Sequence, residues 1–376
     1  MMYFDHAATT PMRPEVLEKM TPYMLEQFGN PSSVHAFGRS GRAAIDTARR
    51  VMATELNAKP TEVIFTSGGT EADNYAIIGA AMQYQDQGRH VITTRFEHHA
   101  VLHAFEELEK RGFEVTYLDV SASGVVSESA LRAAVRTDTI LVSIMFGNNE
   151  VGTIQPIAAC GRFLREQQIL FHTDAVQVFA KRAIDVEAMG IDLLSASSHK
   201  INGPKGVGLL YVRSGLKLEA QSFGGEQERK RRAGTENVAG IVGFAEAVRL
   251  TVEEQEQQTK KYHQLRTRLL DRLHASTIDF EINGAEGLAQ VINLYFPHVE
   301  IEPFLIMLDM RGIAVSSGSA CTAGSIEPSH VLSAMYGENP RTKQSVRISF
   351  GSGNDLEQVE LLAQGLIDIV KSFQNN

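Results

Sequence analysis

Short apolar runs separated by longer amphipathic ones set the strongest limit on how this chain can fold. Residues 63–66, 90–93, 114–118, 140–144, 169–172, 191–195 and 207–212 are rich in Val, Ile and Leu and read as strands. Residues 71–82, 100–110, 128–135 and 157–166 lie between them and read as helices. Strands alternating with helices imply an α/β fold whose mostly parallel central sheet is covered on both faces. Ligands of such sheets gather outside the carboxyl ends of the strands. The residues that follow each apolar run are therefore where chemistry is to be sought. Past residue 212 the pattern changes. Residues 238–273 read as one long helical stretch, with Ile241, Phe244 and Val248 at helical spacing, bridging to a smaller α+β region. That region has strands near 280–282 and 291–294 and helices at 302–310 and 355–373. The expected division is a large domain of residues 15–257 and a small domain of residues 1–14 with 258–376.

Composition narrows the function. The chain has 376 residues, ample for a large buried core, and its net charge of −9 opposes a broad nucleic-acid or anionic-membrane surface. Two cysteines, Cys160 and Cys321, are too few for a disulfide framework and suit a reducing compartment. The first residues, Met1 to His6, lack the basic and apolar regions of a secretory signal, and no apolar run approaches the length of a membrane span. A cytoplasmic protein is the expectation.

Three motifs sit at strand ends. Ser67-Gly68-Gly69-Thr70-Glu71 follows a strand and opens a helix. Glycines let the backbone approach an anion and a helix N-terminus offers free N–H groups, so this reads as a phosphate cup or as an ordinary capped helix start. Asp174, in His172-Thr173-Asp174-Ala175, reads either as a helix cap or as the carboxylate that keeps a cofactor's pyridine nitrogen protonated. Lys200 stands between a strand end and Gly203-Pro204-Lys205-Gly206. It reads as a solvated loop lysine or as one that forms a Schiff base, for which it must be held in place and able to lose its proton. Phosphate cup, strand-end Asp and later strand-end Lys, in that order, is the sequence logic of a pyridoxal-phosphate (PLP) enzyme.

At this point the chain resembles the class V aminotransferase-fold enzymes, and within them the cysteine desulfurases with a long sulfur-carrying loop. The resemblance rests on Tyr3-Phe4-Asp5-His6-Ala7-Ala8-Thr9-Thr10-Pro11, Gly29-Asn30-Pro31-Ser32-Ser33, Thr66-Ser67-Gly68-Gly69-Thr70-Glu71, Glu97-His98-His99-Ala100 and Asn148-Asn149-Glu150-Val151-Gly152. It continues through Asp174-Ala175-Val176-Gln177, His199-Lys200, Arg232-Ala233-Gly234-Thr235-Glu236-Asn237 and Ser316-Ser317-Gly318-Ser319-Ala320-Cys321. It covers essentially the whole chain and implies a PLP-dependent transferase of fold type I, with a smaller α+β domain that carries the Cys321 loop.

The resemblance implies roles. Lys200 matches the Schiff-base lysine, Asp174 the partner of the pyridine nitrogen, Gln177 the residue that bonds the ring hydroxyl, and His99 the imidazole stacked on the ring and a candidate proton relay. Gly69 and Thr70 of the cup, with Ser197 and His199, match phosphate ligands. Thr235 matches one delivered by the other subunit of a homodimer with shared active sites. Asn30, Asn149 and Arg347 match residues near the substrate carboxylate, Asn149 also bordering the cofactor. Cys321 matches the nucleophile that takes sulfur from L-cysteine as a persulfide, leaving L-alanine, and passes it to an iron–sulfur scaffold or a tRNA-thiolating enzyme. A lone Cys is more often a small buried hydrophobe. The flanking Ser316-Ser317-Gly318-Ser319 and Thr322-Ala323-Gly324-Ser325 favour the nucleophile here, whereas Cys160, in an apolar helix, reads as core.

Other features are weaker. His98, His99 and His103 lack the Glu of a zincin motif, so no metal site is expected. The run Arg229-Lys230-Arg231-Arg232 reads as a solvated loop near the dimer interface rather than an RNA contact. Two departures from the family stand out. Gly224-Gly225-Glu226-Gln227 occupies a glycine-richer family motif, and the chain stops soon after its last helix, without the tail that docks iron–sulfur scaffolds in some relatives. The second departure favours service to tRNA thiolation or another single pathway. The rival readings are a selenocysteine lyase, a cysteine-sulfinate desulfinase or a true aminotransferase of the same fold, a PLP-holding partner protein without turnover, and an RNA-binding module built on the basic run.

Overall fold

A computed structural model describes residues 1–317 and 327–374. The chain opens with β1 (Met2–Tyr3), α1 (Pro14–Leu25) and α2 (Ala36–Glu55). The alternating series follows: β2 (Val63–Thr66), α3 (Gly69–Tyr84), β3 (His90–Thr94), α4 (His99–Lys110), β4 (Glu114–Leu118), α5 (Glu128–Ala134), β5 (Thr139–Ser143), α6 (Ile157–Glu166), β6 (Leu170–Asp174), β7 (Leu193–Ser197) and β8 (Gly208–Val212). The remainder comprises α7 (Gln227–Lys230), α8 (Val238–Glu253), α9 (Gln255–His274), β9 (Glu281–Asn283), β10 (Val291–Tyr295), α10 (Ile301–Met310), β11 (Ile313–Ala314), α11 (His330–Tyr336), β12 (Ser345–Ser349) and α12 (Leu356–Gln374).

Seven strands form one sheet in the order β2-β8-β7-β6-β5-β3-β4. All neighbours are parallel except β8, which runs antiparallel to both β2 and β7. Strands β3, β5, β7 and β8 are buried along their whole length, which is why they appear in the sequence as unbroken apolar runs. Helix α3 is buried on nearly every side, from Ala72 and Asp73 to Ala80 and Ala81, and lies against the sheet as an interior element.

A second core is built from Leu265, Leu269 and Leu273 of α9, Ile292 and Leu294 of β10, Val346 and Ile348 of β12, and apolar residues of α10 and α12. Phe4 belongs to it, so the first residues of the chain pack with the last hundred. The antiparallel sheet β12-β10-β9 carries this core. The single long helix expected over 238–273 is in fact two, α8 and α9, divided at Glu254. The Glu254 carboxylate is taken by the Arg13 guanidinium through two 2.9 Å bonds, which ties the break to the start of α1. Helical periodicity carries no mark of such a tertiary tie. Among the described residues no helix is long and apolar enough to cross a membrane.

Candidate active site

The carboxyl ends of β2, β3, β5, β6 and β7 converge on a cavity of about 580 Å³. Ten residues singled out in the sequence line it: Gly69, Thr70, His99, Asn149, Asp174, Gln177, Ser197, His199, Lys200 and Arg347.

One wall is the start of α3. Gly68 holds the N-cap position and no side chain caps the first turn, so its N–H groups are left for another acceptor. Gly208, at the start of antiparallel β8, is paired with both Thr66 and Ser197. A Cβ on Gly208 would lie 2.7 Å from the carbonyl carbon of Gly68, so glycine is what lets β8 pass beneath this turn. A Cβ on Gly69 would meet Val176 at 2.8 Å. The cup is thus a packed structure as well as a helix terminus.

Lys200 ends a short 3₁₀ turn after β7. Its Nζ donates to the carbonyls of Ala7 and Ala8, both at 2.7 Å. Those carbonyls belong to the N-terminal motif, which is held in place by Thr10 Oγ1 donating to His199 O at 2.8 Å and by Gln177 Nε2 donating to Ala7 O at 3.0 Å. Burial, with help from the nearby Arg347 cation, lowers the Lys200 pKa to about 8. Asp174 is 5% exposed. Its Oδ1 accepts from Val176 N–H at 2.9 Å, so it does cap the next turn, as one sequence reading held. Burial raises its pKa to about 6, opposed by that bond and by Lys200.

Behind Asp174 lies a buried polar layer that sequence reasoning missed. Asp73 of α3 is 1% exposed and stands 3.6 Å from His172 Nε2. His172 is bracketed by Ser143 Oγ at 2.8 Å and Ser195 Oγ at 3.0 Å. Burial drives the His172 pKa down to about 3, keeping the ring neutral. Burial and then the neighbouring Asp174 raise the pKa of Asp73. Glu97, fully buried, accepts from Thr94 Oγ1 and Met145 N–H, and burial raises its pKa to about 8. The one available signal was spacing: Asp73 follows Thr70 at i+3 and so shares its helix face.

The opposite wall carries imidazoles and the guanidinium. His98 caps α4, its Nδ1 accepting from Ala100 N–H at 3.1 Å. The His99 ring centroid lies 4.4 Å from that of His330 and 5.2 Å from that of His103. Burial and then these two neighbours lower the His99 pKa. His330 is fixed by Nε2 to the Glu97 carbonyl at 2.8 Å. Arg347 donates to Asp5 Oδ1 at 2.7 Å and to the Asn149 carbonyl at 3.1 Å, while its buried Nε has no partner among the described residues. Asp5 belongs to the N-terminal motif. The buried Glu150 takes a 2.6 Å bond from Ser329 Oγ.

Two of the named residues are not in this cavity. Asn30 and Thr235 are exposed and do not line it. Cys321 lies outside the described residues. Cys160 is 1% exposed and burial pushes its thiol up to about 11, so it packs as an apolar residue. The basic run corrects an expectation. Arg232 binds Glu71 of the cup helix at 2.7 and 3.1 Å, and Arg231 reaches the Thr61 carbonyl at 2.6 Å, so these two are structural ties rather than solvated charges. Beside them Glu228 makes a buried bidentate pair with Arg49, both bonds 2.7 Å, which holds the loop down on α2.

These groups suit pyridoxal phosphate. An uncapped helix start packed on glycine accepts a phosphate, a buried carboxylate suits a pyridinium, and an amine with a lowered pKa at the cavity floor suits a carbonyl carbon.

The comparisons with known proteins agree. The aminotransferase class-V family model matches residues 2–362. A protein of Methanosarcina thermophila named cysteine desulfurase IscS is 48% identical, over 100% of this chain and 93% of its own length. Among solved structures, a NifS-like protein superposes with a TM-score of 0.93 at 36% identity, covering 99% of both chains. A second, SspA in complex with cysteine, gives 0.83 at 38% identity over 93% of this chain and 99% of its own.

Proposed function

The chain belongs to the class V aminotransferases and, within them, to the cysteine desulfurases, and from that premise we propose that it strips sulfur from L-cysteine, releases L-alanine and carries the sulfur on Cys321 to an acceptor. The family is pyridoxal-phosphate dependent. What supports the reading in this chain is one juxtaposition: an amine of lowered pKa, a buried carboxylate, an imidazole and a guanidinium facing one cavity, as Lys200, Asp174, His99 and Arg347 do.

When bound, the cofactor supplies an electron-withdrawing ring that weakens the bonds at the substrate's Cα and Cβ. Lys200, Gly69 and Thr70 of the cup, Ser197 and His199 would hold it. Gln177 would bond its hydroxyl, and Asp174 would keep a proton on its ring nitrogen. Arg347, which lines the cavity, binds the carboxylate of L-cysteine together with Asn149 and Asn30. Lys200 Nζ would take the Cα proton and return one to Cα before alanine leaves, and His99 would move protons between these steps. Cys321 Sγ, as thiolate, then bonds to the substrate sulfur while the Cβ–Sγ bond breaks, its electron pair passing to carbon, where a proton completes the methyl group of alanine.

The assembly is a homodimer. Met24, Leu25, Phe28, Val34 and Phe37 form an exposed apolar stretch from the end of α1 to the start of α2, with Phe28 and Phe37 stacked 5.6 Å apart. A second copy covers such a face, and it brings the exposed Thr235 to the partner's phosphate cup. The acceptor is a protein, either an iron–sulfur scaffold or a tRNA-thiolating enzyme, and the location is cytoplasmic.

The test is alanine formed from L-cysteine, with PLP and a reductant, by the wild type and by Cys321→Ser. Alanine from the wild type and almost none from the variant supports the persulfide route. Equal alanine from both removes Cys321 from the reaction.

A further inference from the structure

The floor of the site continues behind Lys200. A cavity of about 30 Å³ is bordered by Gln177 and Lys200 from the main site and by His6, Lys181 and Tyr262. A second, of about 60 Å³, shares Lys181, Asn202, Tyr262 and Gln290 with the first and is flanked by the Arg13–Glu254 ion pair. A third, of about 440 Å³, shares Lys181 and Gln290 with both and reaches the exposed Lys260 and His263. The three form a series from the catalytic lysine to the surface, between α9 and the segment after β6.

Its walls hold polar atoms that protein does not satisfy. Among the described residues, buried His6 Nδ1 and Gln290 Nε2 have no hydrogen-bond partner, and neither has Gln258 Oε1. Lys181 Nζ makes no hydrogen bond or ion pair with the described residues. A water needs roughly 10–15 Å³ and two to four polar partners, and both inner cavities exceed that volume. The backbone is bent to put Lys181 here. Ala180, fully buried, has φ 62°, a left-handed conformation rare for a residue with a Cβ, and its carbonyl is held by Gln255 Nε2 at 3.0 Å.

We propose that these cavities form a water-filled rear passage through which the Lys200 amine exchanges protons with bulk solvent while substrate occupies the front of the site, with Lys181 as the polar group that keeps the passage wet. The inference rests on the reading of Lys200 as the group that handles the Cα proton. In each exchange one proton leaves or enters at Lys200 Nζ along hydrogen-bonded water, and one enters or leaves at the surface. No bond to carbon is made and no electrons are transferred. The charged and titratable groups that face the inner passage are Lys200, Lys181, His6, Tyr262, Arg13 and Glu254. Burial lowers the His6 pKa to about 4, so it stays neutral, and burial followed by Lys200 lowers that of Lys181 to about 7, where it both gives and takes protons.

Two measurements on the PLP-loaded protein test this. A high-resolution crystal structure should show ordered water bonded to His6 Nδ1, Gln290 Nε2 or Lys181 Nζ. Exchange of the Cα proton of bound L-alanine for deuterium, followed by mass spectrometry, should slow about tenfold or more in Lys181→Met and in Gln290→Leu, with cofactor absorbance and L-alanine affinity unchanged. Wild-type exchange in both variants, or dry cavities, overturns the passage. Lys200→Ala separates the two readings. If it alone loses exchange, Lys200 is the base and the passage falls; if it exchanges as wild type, Lys200 and the passage fall together. Should Lys181→Met not fold, Gln290→Leu decides.

Discussion

An amine that reacts with a carbonyl near neutral pH must spend part of its time without a proton, and Lys200 meets that demand by position. Burial and the Arg347 cation disfavour its charged form, and its pKa falls from 10.5 to about 8. The sign is therefore fixed: below about 8 the amine is mostly protonated and unreactive, and above it mostly free. Loading of the cofactor-free protein with PLP, followed by stopped-flow absorbance, is expected to accelerate as pH rises toward 8 and to level off beyond it. A rate already flat from pH 6 would contradict this account of Lys200. Lys200, Asp174 and Thr70 were legible in the sequence because each is a polar residue directly after an apolar run, where an α/β sheet puts its ligands. Asp73, Glu97 and Glu150 were not. In the sequence they are acids on a helix or in a loop, the usual places for solvated charge, and only the packed molecule shows all three to be buried.

Among elements, the antiparallel strand β8 does something the parallel series cannot. It enters the sheet between β2 and β7 and brings Gly208 under the turn that opens α3. Gly208→Ala should therefore push on the Gly68 backbone, which cannot yield as a side chain would, and cost about 1–3 kcal/mol of stability. The same shift moves the first turn of α3, so the PLP dissociation constant should rise in step with the fall in Tm. Loss of stability with unchanged PLP affinity would mean that the Gly68 turn is not part of the phosphate cup. The strands and helices of the alternating region were read correctly in kind, with ends off by a residue or two, because their periods differ so clearly. The division of α8 from α9 was missed for a different reason: both halves are good helix, and the break is tied by Arg13 from far away in the chain.

For the whole molecule, the proposed shared active site makes a prediction no single chain can satisfy. A Lys200→Ala chain lacks the amine in its own cavity but still lends Thr235 to its partner. A Thr235→Ala chain keeps the amine and weakens the partner's site. Co-expression of the two should raise alanine formation above that of either variant alone, since the mixed dimer contains one complete site. Failure to complement, with mixed dimers verified by mass, would assign Thr235 to its own subunit or to none. The sequence by itself determined the α/β class, the strand-end location of the chemistry and the family, because hydrophobic period and motif order are local properties that survive being written in one dimension. What only the tertiary structure decided is which charges lose their water: the amine at Lys200, the acids around Asp174, the ion pairs of the basic run and the amine at Lys181. Desolvation depends on everything that surrounds a group, and most of what surrounds each of these comes from distant parts of the chain.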